Sequence, residues 1–434
     1  MVIAYNKNFA KNYDDFLNNL HAGDKVWTAE RIEKFLKITG RPQDDFDSIH
    51  ISGTNGKGTV AHLLFNIYSE RYSAGLFTSP HLVDFRERIV TSDGCVSEEW
   101  IEDFIKTYSK EIEECDLTYF EVSTAMAFHY FSERNVDVGV VEVGLGGEKD
   151  ATNVLSPVAT IITYVDYDHL KTLGPTLEDI AKHKAGIIKG GKVITYEERK
   201  NILNIFENKA KESGGSIYIL KDYIGWEPKD IKMEYMRTHI HSFYSNENYE
   251  IKSRIIGKHQ CKNIGTAILT AEVLGDDIKI SKKEIISGIS NTIIPARFQI
   301  FSKRPIIIFD GAHNPSATRA LAELINEISW KPKNIVIGMM GDKLLEENLS
   351  NLSLIGDSAI FVEIGHRRTA SLETLMDIGG KYFRRIRGFK DSYEGFKKAV
   401  EEGDVLITGS FYLCGEIMKK MNIGICDLYG AVRI

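Results

Sequence analysis

One stretch near the start of the sequence limits the possible folds most: an apolar strand, a glycine-rich turn and the start of a helix. The run Ser48–Ile51 predicts a buried strand, and the turn that follows, Gly53–Thr59, has the sequence GTNGKGT. From Val60 to Ile67 apolar residues recur at helical spacing. Backbone N–H groups and the helix dipole make such a helix N-terminus a binding site for anions. The stretch therefore predicts a phosphate site at the end of a strand.

The side chains of this turn suit a nucleotide. Lys57 would contact the outer phosphates, and the hydroxyl of Thr59 would bind a magnesium ion. The turn departs from the general P-loop pattern, because the spacer between Gly53 and Gly56 is short and Gly58 follows the lysine. A glycine-rich turn without a ligand is the alternative, but the order of strand, turn, lysine and helix favours phosphate binding. The predicted nucleotide-binding residues here are Gly53, Thr54, Asn55, Gly56, Lys57, Gly58 and Thr59.

Length and composition indicate a soluble enzyme with two domains. A chain of 434 residues is too long for one ordinary core. Its 43% hydrophobic and 26% charged residues are typical of globular enzymes. The formal net charge of −7 disfavours a nucleic-acid-binding protein. No apolar run approaches the ~20 residues of a membrane span, so we expect no membrane partner either.

The expected compartment is the cytoplasm. The N-terminal sequence, MVIAYNKNFAKNYDDF, contains no apolar core of signal-peptide length. The five cysteines are widely separated and odd in number, and they form neither a metal-binding nor a disulfide pattern. We therefore expect ordinary buried or partly buried thiols in a reducing environment. These residues are Cys95, Cys115, Cys261, Cys414 and Cys426.

Strands and helices alternate along two segments, which predicts two α/β domains. The strands between Ser48 and Ile289 are nearly continuously apolar, as in a largely parallel sheet covered on both faces. Residues 213–256 alternate in short segments and predict an antiparallel patch at the edge of that sheet. A proline interrupts the pattern near Thr292–Arg297, where we place the linker. The predicted domains are residues 1–294 and a smaller Rossmann-like domain of residues 295–434.

The segment before the first strand, residues 1–46, is predicted to be helical and amphipathic and to pack on the first domain. Beyond it, helices are predicted over Thr124–Glu133, Leu177–Ile187, Gly257–Leu274, Glu394–Glu401 and Tyr412–Met421, with another from Pro315. The remaining predicted strands are Gly75–Thr78, Val136–Val143, Val158–Val165, Lys192–Tyr196, Ile306–Asp310, Asn334–Met339, Ala359–Ile364 and Val405–Thr408.

Two polar residues stand where predicted strands end. Ser79 follows the second strand, and Glu142 lies near the end of a strand that is otherwise apolar. The carboxyl ends of parallel strands line the ligand crevice, so both residues are candidates for the site. From the residues alone, Ser79 equally suits an ST-turn before proline. Glu142 suits either a metal or a paired core acid, because burying an unpaired carboxylate costs free energy.

His169 and Lys184 are ambiguous on residue type. His169 follows a later strand, but magnesium prefers oxygen ligands, which disfavours a metal role on chemistry alone. Lys184 lies on a mostly apolar helix end, where its amine either extends to solvent or is desolvated with a lowered pKa. A neutral amine can add CO₂ to form a carbamate, whose oxygens suit magnesium.

The second domain offers a polar cluster of its own. Residues Asp310–Pro315, with the sequence DGAHNP, end the first strand of that domain and should face the cleft between the domains. Arg297 lies beside the linker, and Asn263 follows Gly257 in a predicted first helical turn, for which a merely polar helix start is the alternative. Ser410, in TGSFYL, follows the last strand.

Several of these stretches together resemble a known family. GTNGKGT, TSPHL (78–82), DFRERI (84–89), EVGLGGEKDATN (142–153), DHLKTLG (168–174), GKHQCKN (257–263) and DGAHNP (310–315) occur in one order along the chain. This ordered set resembles the folylpolyglutamate synthases and dihydrofolate synthases of the Mur ligase superfamily, from about Ile51 to Leu413. The resemblance implies a P-loop-containing, Mur-ligase-like central ATPase domain with a mostly parallel sheet, and a smaller Rossmann-like C-terminal domain.

The resemblance implies a role for each candidate. Thr59, Ser79 and Glu142 would hold one Mg²⁺ ion, and Glu142, His169 and a carbamylated Lys184 would hold a second. The nucleotide, ATP, would contact Asn263, Arg297 and Asp310 beside the glycine-rich turn. The catalytic residues would be Lys57, Glu142, His169, Lys184 and His313, and the substrate-contacting residues would be Arg86, His313 and Ser410.

The implied reaction is the ATP-dependent addition of L-glutamate to the terminal glutamyl carboxylate of tetrahydrofolate or its polyglutamates, through an acyl phosphate. The stretch Leu117–Glu121 (LTYFE) resembles the bifunctional members, which also use dihydropteroate. Family members are often monomers. The chain departs from the family pattern at Glu148, where many members have Arg, and at His183, which precedes the lysine where Glu is common.

Three other interpretations are compatible with the motifs, and the weakest is an inactive relative, because the candidate site residues are intact. A peptidoglycan Mur ligase shares the chemistry, but it needs an N-terminal domain for its UDP-sugar, and only about 50 residues precede the glycine-rich turn here. A nucleotide-binding regulator without ligase activity would hydrolyse ATP without needing folate and glutamate.

Overall fold

The computed structural model describes residues 13–20 and 27–426. The predicted leader therefore lies partly outside the described residues, at 1–12 and 21–26. Its described part contains two helices, and their side chains Leu17 and Phe35 are buried in one apolar core with the first domain. The expectation that the leader packs on this domain is confirmed for these helices.

The strands are named in chain order. They are β1 (Asp47–Ser52), β2 (Ala74–Phe77), β3 (Ile89–Thr91), β4 (Gly94–Cys95), β5 (Val138–Glu142), β6 (Ala159–Ile162), β7 (Lys192–Thr195), β8 (Ser216–Ile219), β9 (Ile224–Ile231), β10 (Met236–Ser242), β11 (Glu247–Ser253), β12 (Gln299–Lys303), β13 (Ile306–Phe309), β14 (Asn334–Ile337), β15 (Ser358–Val362), β16 (Arg385–Phe389) and β17 (Val405–Thr408).

The helices are named in the same way. They are α1 (Tyr13–Asn19), α2 (Glu30–Ile38), α3 (Lys57–Ser69), α4 (Glu98–Glu114), α5 (Tyr119–Glu133), α6 (Leu170–Leu173), α7 (Leu177–Ala185), α8 (Lys200–Glu212), α9 (Leu220–Tyr223), α10 (Lys258–Val273), α11 (Lys282–Asn291), α12 (Pro315–Glu327), α13 (Leu345–Ser353), α14 (Leu372–Gly379), α15 (Ser392–Glu402) and α16 (Phe411–Lys420). Short 3-10 turns occur at Pro42–Asp44, Phe85–Arg88 and Ala151–Val154.

The first domain is built on a largely parallel sheet, as predicted. Within the described residues, its eight strands follow the order β4-β3-β2-β5-β1-β6-β7-β8, and only β3 and β4 run antiparallel to their neighbours. The P-loop strand β1 pairs in parallel with β5 and β6 and is buried at every residue after Asp47. Helices cover both faces, which explains the nearly continuous apolar character of these strands.

The antiparallel segment is a separate layer and not an extension of the main sheet. Strands β9, β10 and β11 form their own three-stranded sheet in the described part of the chain, whereas β8 ends the main sheet. Inward-facing Met236 and Ile240 of β10 pack in the same core as α3 and α10. The predicted edge position was therefore wrong, because alternating residues reveal an antiparallel strand but not the partner that its apolar face covers.

The second α/β unit has the sheet order β12-β13-β17-β14-β15-β16 among the described residues. Strands β13 to β17 are parallel, and β12 is an antiparallel edge strand. This arrangement confirms the expected Rossmann-like layout. None of the helices in the described ranges is long and apolar enough to cross a membrane.

The cysteines differ from expectation. Cys95 in β4 and Cys426, just beyond α16, form a disulfide across a sequence separation of 331 residues. The expectation of free thiols was wrong for this pair, because spacing along the chain does not show that the end of the second domain returns to the β3–β4 hairpin. Cys115, Cys261 and Cys414 are free and buried, as expected.

A close helix contact positions the P-loop helix. Gly288 of α11 lies against the backbone of α3, and a Cβ atom there would be 2.5 Å from the Cα atom of Ile67. Backbone atoms cannot move aside as a flexible side chain can. The approach of α11 to α3 therefore depends on the absence of a side chain at this glycine.

We expect the substitution Gly288→Ala to lower the free energy of unfolding by about 1–3 kcal/mol, which is typical of an overpacked contact. Gly225→Ala is the matched control, because its Cβ atom would lie an ordinary 3.5 Å from the Phe243 ring. Urea denaturation of both variants measures the difference. Equal stability of the two variants would contradict the proposed packing.

Candidate active site

The glycine-rich turn takes the backbone shape of an anion site. Gly53 and Gly56 have φ angles of +146° and +92°, and Gly56 immediately precedes α3. A Cβ atom on Gly53 would lie 1.8 Å from the Thr163 hydroxyl oxygen, so glycine is needed for this close approach as well. The Thr54 N–H donates to the Tyr164 carbonyl at 2.6 Å, which fixes the turn against the end of β6.

Three predicted residues meet at the first turn of α3. The Lys57 ammonium nitrogen lies 3.8 Å from a carboxylate oxygen of Glu142, and the Ser79 N–H donates to the other oxygen at 3.3 Å. Burial raises the pKa of Glu142, while the charge of Lys57 opposes that rise. Thr59 lies in the same first turn, two residues after Lys57, and is also buried. The Glu142 carboxylate is thus paired with groups of the protein. The same place offers an ammonium group that could bind an anion and a carboxylate that could bind a cation.

Lys184 and His169 share a small cavity with the P-loop lysine. The cavity, of about 30 Å³, is lined by Lys57, Asp168, His169 and Lys184 together with residues of both glycine-rich turns. Lys184 is 3% exposed, and burial followed by the charge of Lys57 holds its pKa well below the usual value. The alternative in which this amine extends to solvent is therefore wrong. A desolvated amine of this kind is available for carbamylation.

A cavity of about 600 Å³ opens between the two domains next to this cluster. Lys57, Ser79, Glu142 and His169 line it from the first domain, and Arg297, His313, Lys343, Arg368 and Ser410 line it from the second. The ion pair between Asp168 and Lys343, at 2.7 Å, crosses the cleft. Asn55 of the glycine-rich turn also crosses it and donates to Ser316 at 2.7 Å.

A second cavity of about 350 Å³ lies on the other side of the turn. The rings of Tyr164 and Tyr196 stand nearly parallel in its wall, with 8° between their planes. Asn263 also lines it, and its side-chain oxygen is buried without a hydrogen-bond partner in the described part of the chain. A buried acceptor left unpaired costs free energy, so the cavity has the chemistry to accept a donor from a ligand.

Arg297 lines both cavities, and Asp310 lines the smaller one beside it. Asp310 is buried and accepts the Phe298 and Ala312 N–H groups at 2.9 Å each. Burial raises the pKa of its carboxyl group, and the nearby Arg297 opposes this. The Arg297 guanidinium group lies 4.4 Å from the centre of the Phe411 ring, a cation–π contact that fixes its direction.

His313 and Ser410 also lie in the interdomain cavity. Burial lowers the pKa of His313 to about 4, so the ring is neutral at physiological pH. Its Nδ1 atom lies 2.9 Å from the Gly311 carbonyl, an acceptor that requires the proton on Nδ1 and leaves Nε2 as an acceptor. The Ser410 hydroxyl accepts the Tyr412 N–H at 3.1 Å and caps α16.

Arg86 is the predicted residue that the structure keeps away from the others. Its guanidinium group pairs with Asp84 at 2.6 Å and Glu98 at 3.5 Å, and it is not among the residues lining the interdomain cavity. Arg88 lines the cavity in its place, donates to the His81 ring at 2.8 Å and lies over the Tyr119 ring. Sequence alone could not separate two arginines two residues apart around a 3-10 turn.

The two departures from the family pattern face one another. The Glu148 N–H donates to the His183 carbonyl at 2.8 Å, and the Glu148 carboxylate lies 3.8 Å from the His183 ring. The backbone contact keeps the glycine-rich turn after β5 against the end of α7, next to Lys184.

The donor set for magnesium is mixed. No group of three or more His, Cys, Asp or Glu side chains within residues 13–20 and 27–426 is arranged to hold a metal ion. The candidates instead combine the Thr59 and Ser79 hydroxyls with the Glu142 carboxylate, close to a phosphate-binding turn. This chemistry fits Mg²⁺, which binds through one or two carboxylates and completes its shell with phosphate oxygens and water.

The fold and site can be compared with known proteins. The chain matches the model of the Mur ligase middle domain over residues 51–271 and that of the Mur ligase glutamate ligase domain over residues 296–411. It is therefore a Mur-type ligase in domain composition. It is 31% identical to the dihydrofolate synthase/folylpolyglutamate synthase of Bacillus subtilis over 412 residues, which cover 90% of this chain and 94% of that protein.

Solved structures of folylpolyglutamate synthases and related enzymes have the same fold as this chain. A folylpolyglutamate synthase from Thermotoga maritima superposes with a TM-score of 0.83 at 32% identity, covering 96% of this chain and 97% of that one. Escherichia coli FolC in complex with DHPP and ADP gives a TM-score of 0.82 at 26% identity, covering 95% and 98%. The chain belongs to the folylpolyglutamate synthase and dihydrofolate synthase family.

We expect the substitution Gly53→Ala to weaken ADP binding at least about tenfold, because the added methyl group would displace the turn from Thr163. Isothermal titration calorimetry measures the affinity. The double variant Gly53→Ala/Thr163→Ala removes the hydroxyl at 1.8 Å and should regain part of the loss. Unchanged ADP affinity in the single variant would contradict this account of the turn.

Proposed function

We propose that this protein is an ATP-dependent ligase that adds L-glutamate to the terminal glutamyl carboxylate of folate. The observation that carries the proposal is the interdomain cleft, where Lys57 and Glu142 of the first domain face Arg297 and His313 of the second. The family supports the same chemistry. Folate, as tetrahydrofolate or its polyglutamates, and L-glutamate are the proposed substrates.

ATP fits the two cavities around the glycine-rich turn. The base and ribose would occupy the 350 Å³ cavity beside Tyr164 and Asn263. The phosphates would lie against the N–H groups that begin α3, with Lys57 and Arg297 neutralising their charge. The γ-phosphate would then point into the 600 Å³ cavity, where the folate carboxylate attacks it.

The protein contributes mainly position and charge. The carboxylate becomes an acyl phosphate, and the amine of glutamate attacks that carbonyl and releases phosphate, so no covalent enzyme intermediate is needed. His313 is neutral and has a free Nε2 lone pair for a proton of the incoming amine. Closure of the two domains excludes water, which would hydrolyse the acyl phosphate.

Two magnesium sites are part of the proposal. Thr59, Ser79 and Glu142 would hold one ion, and Glu142, His169 and carbamylated Lys184 would hold the other. Bound there, the ions would neutralise charge on the phosphates and on the developing tetrahedral centre. The buried position of Lys184 supports its carbamylation, and crystals grown with bicarbonate test it: density for an unmodified amine would refute it.

We propose domain bounds of 1–294 and 295–434, a monomer, and a cytoplasmic location. In a reducing cytoplasm Cys95 and Cys426 would be two thiols and not the disulfide seen in the structure, so the redox state of this pair tests the proposed location. Alkylation of free thiols before lysis, followed by mass spectrometry, decides between the two states, and sedimentation of the purified protein decides the oligomeric state.

Dihydropteroate is a second candidate acceptor. Thr118 and Glu121 of the LTYFE stretch form a capping box at the start of α5 and line the 600 Å³ cavity together with Tyr119 and Phe120. Arg31 pairs with Glu121 at 3.1 Å in the same wall. A side-by-side assay with dihydropteroate and tetrahydrofolate tests this, and turnover of tetrahydrofolate alone would exclude dihydrofolate synthase activity.

We expect phosphate release from ATP to require both folate and L-glutamate, and we expect Lys57→Ala and Glu142→Ala each to abolish it. Lys57 neutralises the phosphates, and without it Glu142 would be left buried and unpaired. Lys182→Ala is a matched control, since this lysine is exposed on α7 and pairs only loosely with Asp179 at 3.9 Å. Circular dichroism establishes that all three variants are folded.

Full activity in either site variant would refute the assigned site. Phosphate release by the wild-type protein without folate and glutamate would instead favour a nucleotide-binding regulator.

A further inference from the structure

Arg368, a cation of the second domain, lines the 600 Å³ cavity, and no carboxylate among the described residues lies within hydrogen-bonding distance of it. The nearest paired acid is Asp342, at 3.7 Å, and the two side chains are 50% and 41% exposed. This distance exceeds that of a hydrogen bond, and ion pairs at such exposure contribute little. The guanidinium group is therefore available to an anion in the cleft.

The other second-domain cations that line this cavity are already committed. Lys343 pairs with Asp168 at 2.7 Å and is only 12% exposed. Arg297 is partly buried, interacts electrostatically with Asp310 and Glu142, and lies over the Phe411 ring. Neither can turn to a new carboxylate without losing its present contacts.

The loop that carries Arg368 is held in place although it is exposed. The Arg368 carbonyl accepts the Gly341 N–H at 2.8 Å, which ties the loop after β15 to the loop after β14. The Gly365 N–H donates to Glu416 of α16 at 2.7 Å, and the His366 ring packs against Tyr412 at 4.8 Å. A fixed loop binds a ligand at a smaller entropic cost than a mobile one.

The proposed reaction needs a cation in the cleft, such as the Arg368 guanidinium group, that is available to bind a carboxylate. The incoming amino acid attacks through its amine, so both of its carboxylates remain charged and must be recognised in the cleft. We propose that Arg368 binds the side-chain carboxylate of the incoming L-glutamate and thereby makes the enzyme specific for a dicarboxylic amino acid. Arginine suits this because its planar fork can donate two parallel hydrogen bonds to a carboxylate. This inference rests on the proposed ligase function.

Steady-state kinetics with saturating ATP and folate test the proposal. Arg368→Ala should raise KM for L-glutamate by about 10- to 100-fold, the range expected for a lost hydrogen bond to a charged group, and leave kcat within about twofold. The preference for glutamate over glutamine, as a ratio of kcat/KM values, should fall by a similar factor, and Arg368→Lys should retain part of it.

Arg367→Ala is the matched control, because Arg367 is exposed in the same loop and does not line the cavity. It should leave KM for L-glutamate unchanged. An unchanged KM and unchanged preference in Arg368→Ala would overturn the inference, and so would an equal rise of KM for ATP, which would indicate general damage to the cleft. Absence of ligation by the wild-type protein would instead overturn the proposed function.

Discussion

A carboxylate buried beside an ammonium group at the first turn of α3 is the interaction on which the arrangement of the site depends. Glu142 ends the apolar strand β5, where an isolated negative charge would be unfavourable. Lys57 and the Ser79 N–H offset part of that cost. The pair can form only because β1, β2 and β5 are neighbours in a parallel sheet and end at the same edge. Breaking one partner would leave a buried charge without compensation.

Nearly all of the candidate residues lie where they do because neighbouring parallel strands end at the same edge of a sheet. In the first sheet, Ser79 and Asp168 follow β2 and β6, and Glu142 is the last residue of β5. In the second sheet, Asp310, Lys343, Arg368 and Ser410 follow β13, β14, β15 and β17. The carboxyl edges of the two parallel sheets face each other across the cleft, so that loops from both meet there. A reaction between a phosphorylated acid and an amine needs such a two-sided enclosure, because water competes for the activated carbonyl.

The sequence allowed prediction of those features that depend on local pattern. The strand Val405–Thr408 was predicted at its observed bounds, and the other predicted strands differ from the observed ones by a few residues at one or both ends. The P-loop helix, the parallel first sheet and the Rossmann-like second sheet follow from apolar runs and glycine turns. Features that depend on contacts between distant segments could not be predicted: the separate β9–β11 sheet, the Cys95–Cys426 disulfide and the exchange of Arg86 for Arg88 in the cavity wall. Lys343 and Arg368 belong to none of the motifs recognised in the sequence, and their residue type alone indicates no role. Their role emerges only when loops after neighbouring strands are seen together.

The proposed chemistry depends on a nucleoside triphosphate that spans the junction of the two cavities, with its base beside Asn263 and its phosphates at the start of α3. A crystal structure with a non-hydrolysable ATP analogue and magnesium tests this most directly. We expect analogue density there, with Lys57 against the outer phosphates and the Asn263 side chain hydrogen-bonded to the nucleotide. Density for the analogue elsewhere, with this junction empty, would contradict it.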